Sequence, residues 1–134
     1  MKYYNNIHED LTVVLTGKRR QYVISNLKSL NIKYKYIEMV NFEKLNKLYN
    51  ILDLYIVSSR FEGGPQSIME CATTKTPIIS TDVGVAKQIL SKDSIYKMKE
   101  FKNATPNIET AYKNVQQYLT PSGYRSFISF FRKL

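Results

Sequence analysis

Short β-branched runs and amphipathic helical stretches alternate along this chain, and few architectures accommodate that rhythm. Leu11–Thr16 is a β-branched run ending at Gly17, and reads as a buried strand. Residues 19–30 carry Val23, Ile24, Leu27 and Leu30 at helical spacing. Tyr34–Val40 predicts a second strand and Asn41 an N-cap. Phe42, Leu45, Leu48, Tyr49 and Leu52 then repeat at three and four. Asp53–Val57 and Pro77–Ser80 predict two further strands, with helices over 65–74 and 84–90. Strands separated by single helices require parallel pairing through right-handed crossovers. The expected class is therefore α/β, with a parallel sheet covered by helices on both faces. Beyond residue 91 the rhythm weakens to a short strand over 94–98, a helix over 107–119 and a last helix over 122–132. Phe127, Ile128, Phe130, Phe131 and Leu134 form an apolar face on that last helix.

The length, 134 residues, suits one domain spanning 1–134 with a helical tail over 100–134. An apolar fraction of 43% and a charged fraction of 23% exclude wholesale disorder. Cys71 is the single cysteine, which excludes an internal disulfide. The N-terminal MKYYNNIHEDLTVV has no signal-peptide core, and no apolar run reaches the roughly 20 residues that span a bilayer. A soluble, cytoplasmic protein is expected, with peripheral membrane contact as an alternative. A net charge of +9 and a pI near 9.6 favour anionic partners without choosing among them. Compositional drift toward lysine would also account for part of the excess.

The densest chemistry lies in SRFEGGPQSIMECATTKTPIISTDVG, from Ser59 to Gly84. In an open parallel sheet, ligands bind beyond the carboxyl ends of the strands. The loop after strand 53–57 lies at that edge and carries Glu62. Gly63 and Gly64 have no side chains, so a ligand can approach their backbone. Pro65 suits the first helical position, and the helix start over Gln66 and Ser67 offers free N–H groups to an anion such as a diphosphate. Glu70 falls at the margin of the face formed by Ile68, Met69, Cys71 and Ala72, where its carboxylate could accept hydrogen bonds from ribose hydroxyls.

With seven residues between them, Glu62 and Glu70 resemble the Glu-x7-Glu motif of retaining glycosyltransferases of the GT-B fold, family 4 above all. The usual form S-x-x-E-G-x-x-x-x-x-x-E, followed by P-V-I-A-T and D-x-G, is matched in register. The matching residues are Ser59, Glu62, Gly63, Glu70, Pro77-Ile78-Ile79, Thr81-Asp82 and Gly84. Leu48-Tyr49 and Asp53–Val57 resemble the helix and strand that precede the motif. The likeness runs from about residue 11 to 92. It implies a Rossmann-like GT-B half that binds a nucleotide-diphosphate sugar, UDP- or GDP-linked, and passes a hexosyl group with retention to an unknown acceptor. It implies no metal and no separate cofactor. Glu62 would act at the hexose, and the backbone of Gly63, Gly64, Pro65, Gln66 and Ser67 would hold sugar and phosphates. Glu70 would bind ribose, and Met39 and Val40 would sit near the base.

The sequence also departs from that pattern. The early strand with Gly-Arg and a lysine, which holds the diphosphate, has no counterpart, so the half is expected to be incomplete at its N-terminal end. Lys18 and Arg19, followed by Arg20, could grip phosphate instead. The family glycine after the second strand stands as Glu38, the later Pro-Glu as Lys87-Gln88, and the small helix end as Thr73–Thr76. A GT-B enzyme has two halves, so a missing N-terminal half or partner subunit is expected. A binding module that keeps the fold without catalysis is the alternative. A nucleic-acid binder, suggested by the charge and 11 tyrosines, lacks any helix-turn-helix, zinc or RNP-like pattern. His8 reads as a solvated side chain and Cys71 as core. The last helix reads as a packing surface, toward the other half or, with Arg125, Arg132 and Lys133 beside it, toward an anionic membrane.

Overall fold

A computed structural model describes residues 2–8 and 10–132. Lys133 and Leu134, counted above with the last helix, lie outside the described residues. The chain divides into two compact units, Met1–Leu45 and Asn46–Leu134.

In the first unit, α1 (Lys2–Ile7) precedes β1 (Thr12–Thr16), α2 (Gln21–Ser29) and β2 (Lys33–Ile37). The two strands pair in parallel from Thr12↔Lys33 to Thr16↔Ile37. Val13, Leu27 and Ile32 form the buried core, with Leu15, Val23 and Tyr34 packed against it. The helix begins two residues later than its spacing predicts, because Arg19 takes a left-handed φ of 60° that no helix accommodates. Asn31, also left-handed at φ 52°, ends the turn, and the Ile32 amide donates back to the Leu27 carbonyl at 2.9 Å. The second strand was expected to reach Val40. It stops at Ile37, where the ladder with β1 runs out, leaving Met39 exposed and Val40 half-buried beyond it.

The unit boundary falls within α3 (Phe42–Ile51). Asn41 caps it as expected: the Lys44 amide donates to Asn41 Oδ1 at 3.0 Å. The apolar repeat predicts that Phe42 is buried, but it is 87% exposed. It occupies the first helical position, one turn ahead of the stretch where Leu45, Leu48 and Tyr49 begin to pack.

The second unit is built from β3 (Tyr55–Val57), α4 (Gln66–Thr73), β4 (Ile78–Thr81), α5 (Ala86–Ile89), β5 (Ile95–Tyr96), α6 (Ile108–Val115) and α7 (Ser122–Phe131). The sheet is parallel in the order β3-β4-β5. The α/β class and the parallel pairing are those the sequence predicts, although the ladders form one two-stranded and one three-stranded sheet. Central β4 is buried at every residue, as a parallel strand covered on both faces must be. Its two polar side chains are satisfied: Ser80 Oγ donates to the Thr81 carbonyl at 2.7 Å, and Thr81 Oγ1 to that of Ser59 at 2.7 Å. The third strand is shorter than expected because its pairing with β4 begins only at Tyr55↔Ile78. The Tyr55 amide also donates to the Pro77 carbonyl at 2.8 Å.

Ile68, Cys71 and Ala72 are the buried face of α4. Against α4 and α5 packs α6, through buried Ala111 and Val115. Asn107 caps it, accepting from the Thr110 amide at 3.0 Å. The helix passes into a 3-10 turn at Gln116 rather than continuing to 119. Among the described residues no helix is long and apolar enough to cross a membrane.

Ile79 on β4 is 0% exposed, so Ile79→Ala is expected to cost about 2–5 kcal/mol in urea unfolding. Phe42→Ala, despite its place in the apolar repeat, should change stability by no more than about 0.5 kcal/mol.

Candidate functional site

The loop between β3 and α4 is shaped by the two strands beside it. Thr81 of β4 holds the Ser59 carbonyl, and the Tyr96 hydroxyl of β5 donates to the Val57 carbonyl at 2.8 Å. Buried groups on neighbouring strands therefore fix the point where the loop leaves the sheet. Beyond it Arg60, Phe61, Glu62, Gly63 and Gly64 are all exposed, with Phe61 at 95%.

The two glycines of this loop differ from the glycine that faces them. A Cβ placed on Gly63 or Gly64 would meet nothing within 4 Å, and neither residue is left-handed. Neither packing nor backbone strain within the chain requires glycine there. Gly84 is the opposite case. Its φ is +49°, and a Cβ on it would stand 2.7 Å from Pro65 Cδ and 3.0 Å from Gly64 Cα. The Asp82-Val83-Gly84 turn thus presses backbone against the Gly64-Pro65 step and sets the entry to α4.

Pro65 is buried and extended, with ψ 106°. It occupies the N-cap and not the first helical position that its residue type predicts. Its carbonyl accepts the Ile68 amide at 3.1 Å. No side chain caps α4. The amides of exposed Gln66 and half-buried Ser67, at the first two helical positions, precede any intrahelical acceptor.

Glu70 lies at the margin of the buried face, as expected, and its carboxylate is held. The Tyr49 hydroxyl donates to Glu70 Oε2 at 2.8 Å, leaving the other oxygen for a further donor. Tyr49 is itself fixed from two sides. Its ring meets that of Tyr55 edge-on at 5.7 Å, and its carbonyl accepts from Thr76 Oγ1 at 2.8 Å. Tyr49 is the positioning residue that the sequence reading did not single out. Its place in the Leu48-Tyr49 pair was the available signal. Burial, and then the bond to Glu70, push its phenol well above the ordinary value of 10.0. Burial likewise raises the Cys71 thiol, with the Glu70 charge adding to it, so Cys71 is a neutral core group.

The departures from the motif also find local roles. Lys87 pairs with Asp82, and Gln88 Oε1 accepts from the Tyr118 hydroxyl at 2.9 Å. Lys75, at the helix end where the family has small residues, is left-handed at φ 57° and lies 4.4 Å from the Tyr112 ring centroid.

In the first unit, Lys18 and Arg19 are exposed in the turn after β1. Arg20 is committed to that turn, donating from Nε to the Thr16 carbonyl at 2.8 Å. The Tyr36 phenol is raised by desolvation first and by the nearby Glu38 carboxylate second. Among the described residues no cluster of three or more His, Cys, Asp or Glu could hold a metal ion.

Gly84→Ala combines a left-handed φ with a clash against backbone, and is expected to destabilise by about 1–3 kcal/mol, read as a lowered Tm. Tyr49 supplies a pH signature. Its proton is bound more tightly in the folded state, so its contribution is whole below pH 10.0 and declines as pH rises beyond it. Stability measured between about pH 9 and 11 should fall less steeply in Tyr49→Phe than in the unaltered chain.

The family of glycosyl transferases group 1 matches residues 2–126. No curated protein matches the chain. Among solved structures, a sucrose-phosphate synthase from Thermosynechococcus elongatus superposes with a TM-score of 0.69 at 13% identity. That match covers 92% of this chain and 38% of the synthase. A chain of the GtfA/B complex superposes with a TM-score of 0.69 at 15% identity, over 98% of this chain and 31% of its own length. The chain therefore spans about a third of the length of these structures, and at such identities they speak for the fold alone. With nearly all of its residues matched by the family, the chain belongs to the glycosyl transferases group 1 and has the Rossmann-like α/β fold of a GT-B half.

Proposed function

We propose that this chain is the donor-binding half of a retaining glycosyltransferase, family 4-like, that takes a hexosyl group from a nucleotide-diphosphate sugar. The observation that carries the reading is the open space before Gly63 and Gly64. Two adjacent glycines that the fold itself does not need are explained by a ligand lying against their backbone. The first-turn amides of α4 supply N–H donors and a partial positive charge to a diphosphate. Glu70, oriented by Tyr49, accepts from the ribose hydroxyls through its remaining oxygen. Glu62, exposed on the same loop, acts at the hexose.

In the first unit, Lys18 and Arg19 are the proposed phosphate contacts, and Met39 and Val40 the proposed base contacts. The donor is a UDP- or GDP-linked sugar, and the reading calls for no metal. The acceptor side belongs to a second half, on the same polypeptide or on a partner subunit.

The test is thermal shift and calorimetric titration with UDP, GDP, ADP and their sugar conjugates. One nucleotide should raise the Tm of the unaltered chain. Gly63→Ala should unfold at the unaltered chain's Tm without ligand yet bind that nucleotide sugar at least about tenfold more weakly. Glu70→Ala should lose nucleotide binding outright. Unchanged affinity in both variants would refute the reading, and so would the absence of a shift with every nucleotide when the second half is supplied.

A further inference from the structure

We propose, on the reading that this site takes a nucleotide sugar, that the Tyr49 hydroxyl makes it discriminate a ribonucleotide from its deoxy counterparts by holding Glu70 in one position. A closed circuit of hydrogen bonds ties Tyr49 to α4 at two places. Its hydroxyl donates to Glu70 Oε2 at 2.8 Å, midway along the helix. Its carbonyl accepts from Thr76 Oγ1 at 2.8 Å, just past the helix end. Thr76 is itself returned to the helix: left-handed Lys75 turns the chain, and the Thr76 amide donates to the Cys71 carbonyl at 2.9 Å. Thr76 Oγ1 also shares a bond with Thr74 Oγ1 at 2.8 Å. The Tyr49 ring is stiff, only 6% exposed, and abuts the Tyr55 ring edge-on. Neither end of Tyr49 shifts without breaking a bond to α4 or its end.

Holding Glu70 decides what it distinguishes. A glutamate free to turn goes back to water when a ligand fails to offer it a hydroxyl, so the missing bond costs little. A carboxylate with one oxygen tied to a buried phenol does not turn to water without giving up that bond. Its other oxygen then stays at the ribose edge, and a sugar without a hydroxyl there leaves it desolvated and unpaired. Sites built to accept a substrate hydroxyl reject the analogue that lacks it for this reason. The burial that raises the Tyr49 phenol keeps its proton in place at ordinary pH, so the hydroxyl donates to Glu70 throughout. Tyr49 is thus a positioning residue: it acts through Glu70 and touches no reacting atom.

The experiment is calorimetric titration of the full 134-residue chain with UDP, GDP and the 2′-deoxy and 3′-deoxy forms of each. A deoxy form should bind the unaltered chain about tenfold more weakly than its parent. In Tyr49→Phe, which keeps the ring, that gap should close to about twofold, chiefly because the parent binds less tightly. The gap is a ratio of affinities for the same folded site, so partial unfolding of a variant leaves it unchanged. Ile79→Ala, at a core position on β4 that bonds neither residue, should keep the gap whole. A gap unchanged in Tyr49→Phe, or narrowed as much in Ile79→Ala, would overturn the role of Tyr49 while nucleotide binding and its loss in Glu70→Ala stand. Equal binding of parent and deoxy forms by the unaltered chain would overturn it as well. Binding of none of these nucleotides, or a parent affinity untouched in Glu70→Ala, would remove the donor reading and the role of Tyr49 together.

Discussion

Strand β4 carries the second unit. All four of its residues are buried, and β3 and β5 both form their ladders with it. A strand in that position has to satisfy every polar group internally, because water does not reach it. The Thr81 hydroxyl does so by holding the Ser59 carbonyl, and on the neighbouring strands Tyr96 of β5 reaches the Val57 carbonyl of β3. The bonds that complete the core are therefore the same bonds that fix where the β3–α4 loop begins. Core stability and loop placement are coupled at these two side chains.

The same economy governs the far side of α4. Gly84 leaves no room for a Cβ beside the Gly64-Pro65 step, and Pro65 at the N-cap carries no side-chain acceptor, so the first-turn amides stay uncapped by any side chain. At the other end Thr74 and Thr76 share a hydrogen bond at 2.8 Å, and Thr76 reaches the Tyr49 carbonyl. Tyr49 then turns its hydroxyl to Glu70. An acidic side chain at a helix margin is ordinarily free to swing into water. Here one oxygen is committed to the Tyr49 hydroxyl, which orders the side chain.

Much of this was legible in the residues. Asn41 and Asn107 announce their helices by cap chemistry that depends only on neighbours along the chain, and both cap as expected. The Glu62–Glu70 spacing, Gly63-Gly64, and the Thr81-Asp82 and Gly84 matches point to the loop and to what frames it. Other features were not legible because they depend on partners distant in sequence. Val40 fits a strand by type, yet β2 ends where β1 ceases to oppose it. Phe42 fits the helical repeat, yet it stands exposed at the start of α3.

What the sequence determined by itself was local and periodic: the α/β alternation, the caps, the spacing of the two glutamates and the two glycines beside the first. These follow from dihedral preferences and from hydrogen bonds spanning three or four residues. The tertiary structure alone decided that Gly84 stands against Pro65, that Tyr49 holds Glu70, and that Gly63 and Gly64 face open space. The first two turn on ångström distances between segments roughly 20 residues apart in the chain, set by how side chains and backbone exclude one another in a close-packed interior, and the third on which segments stay clear of the loop. No pattern of residue types along the chain encodes such distances.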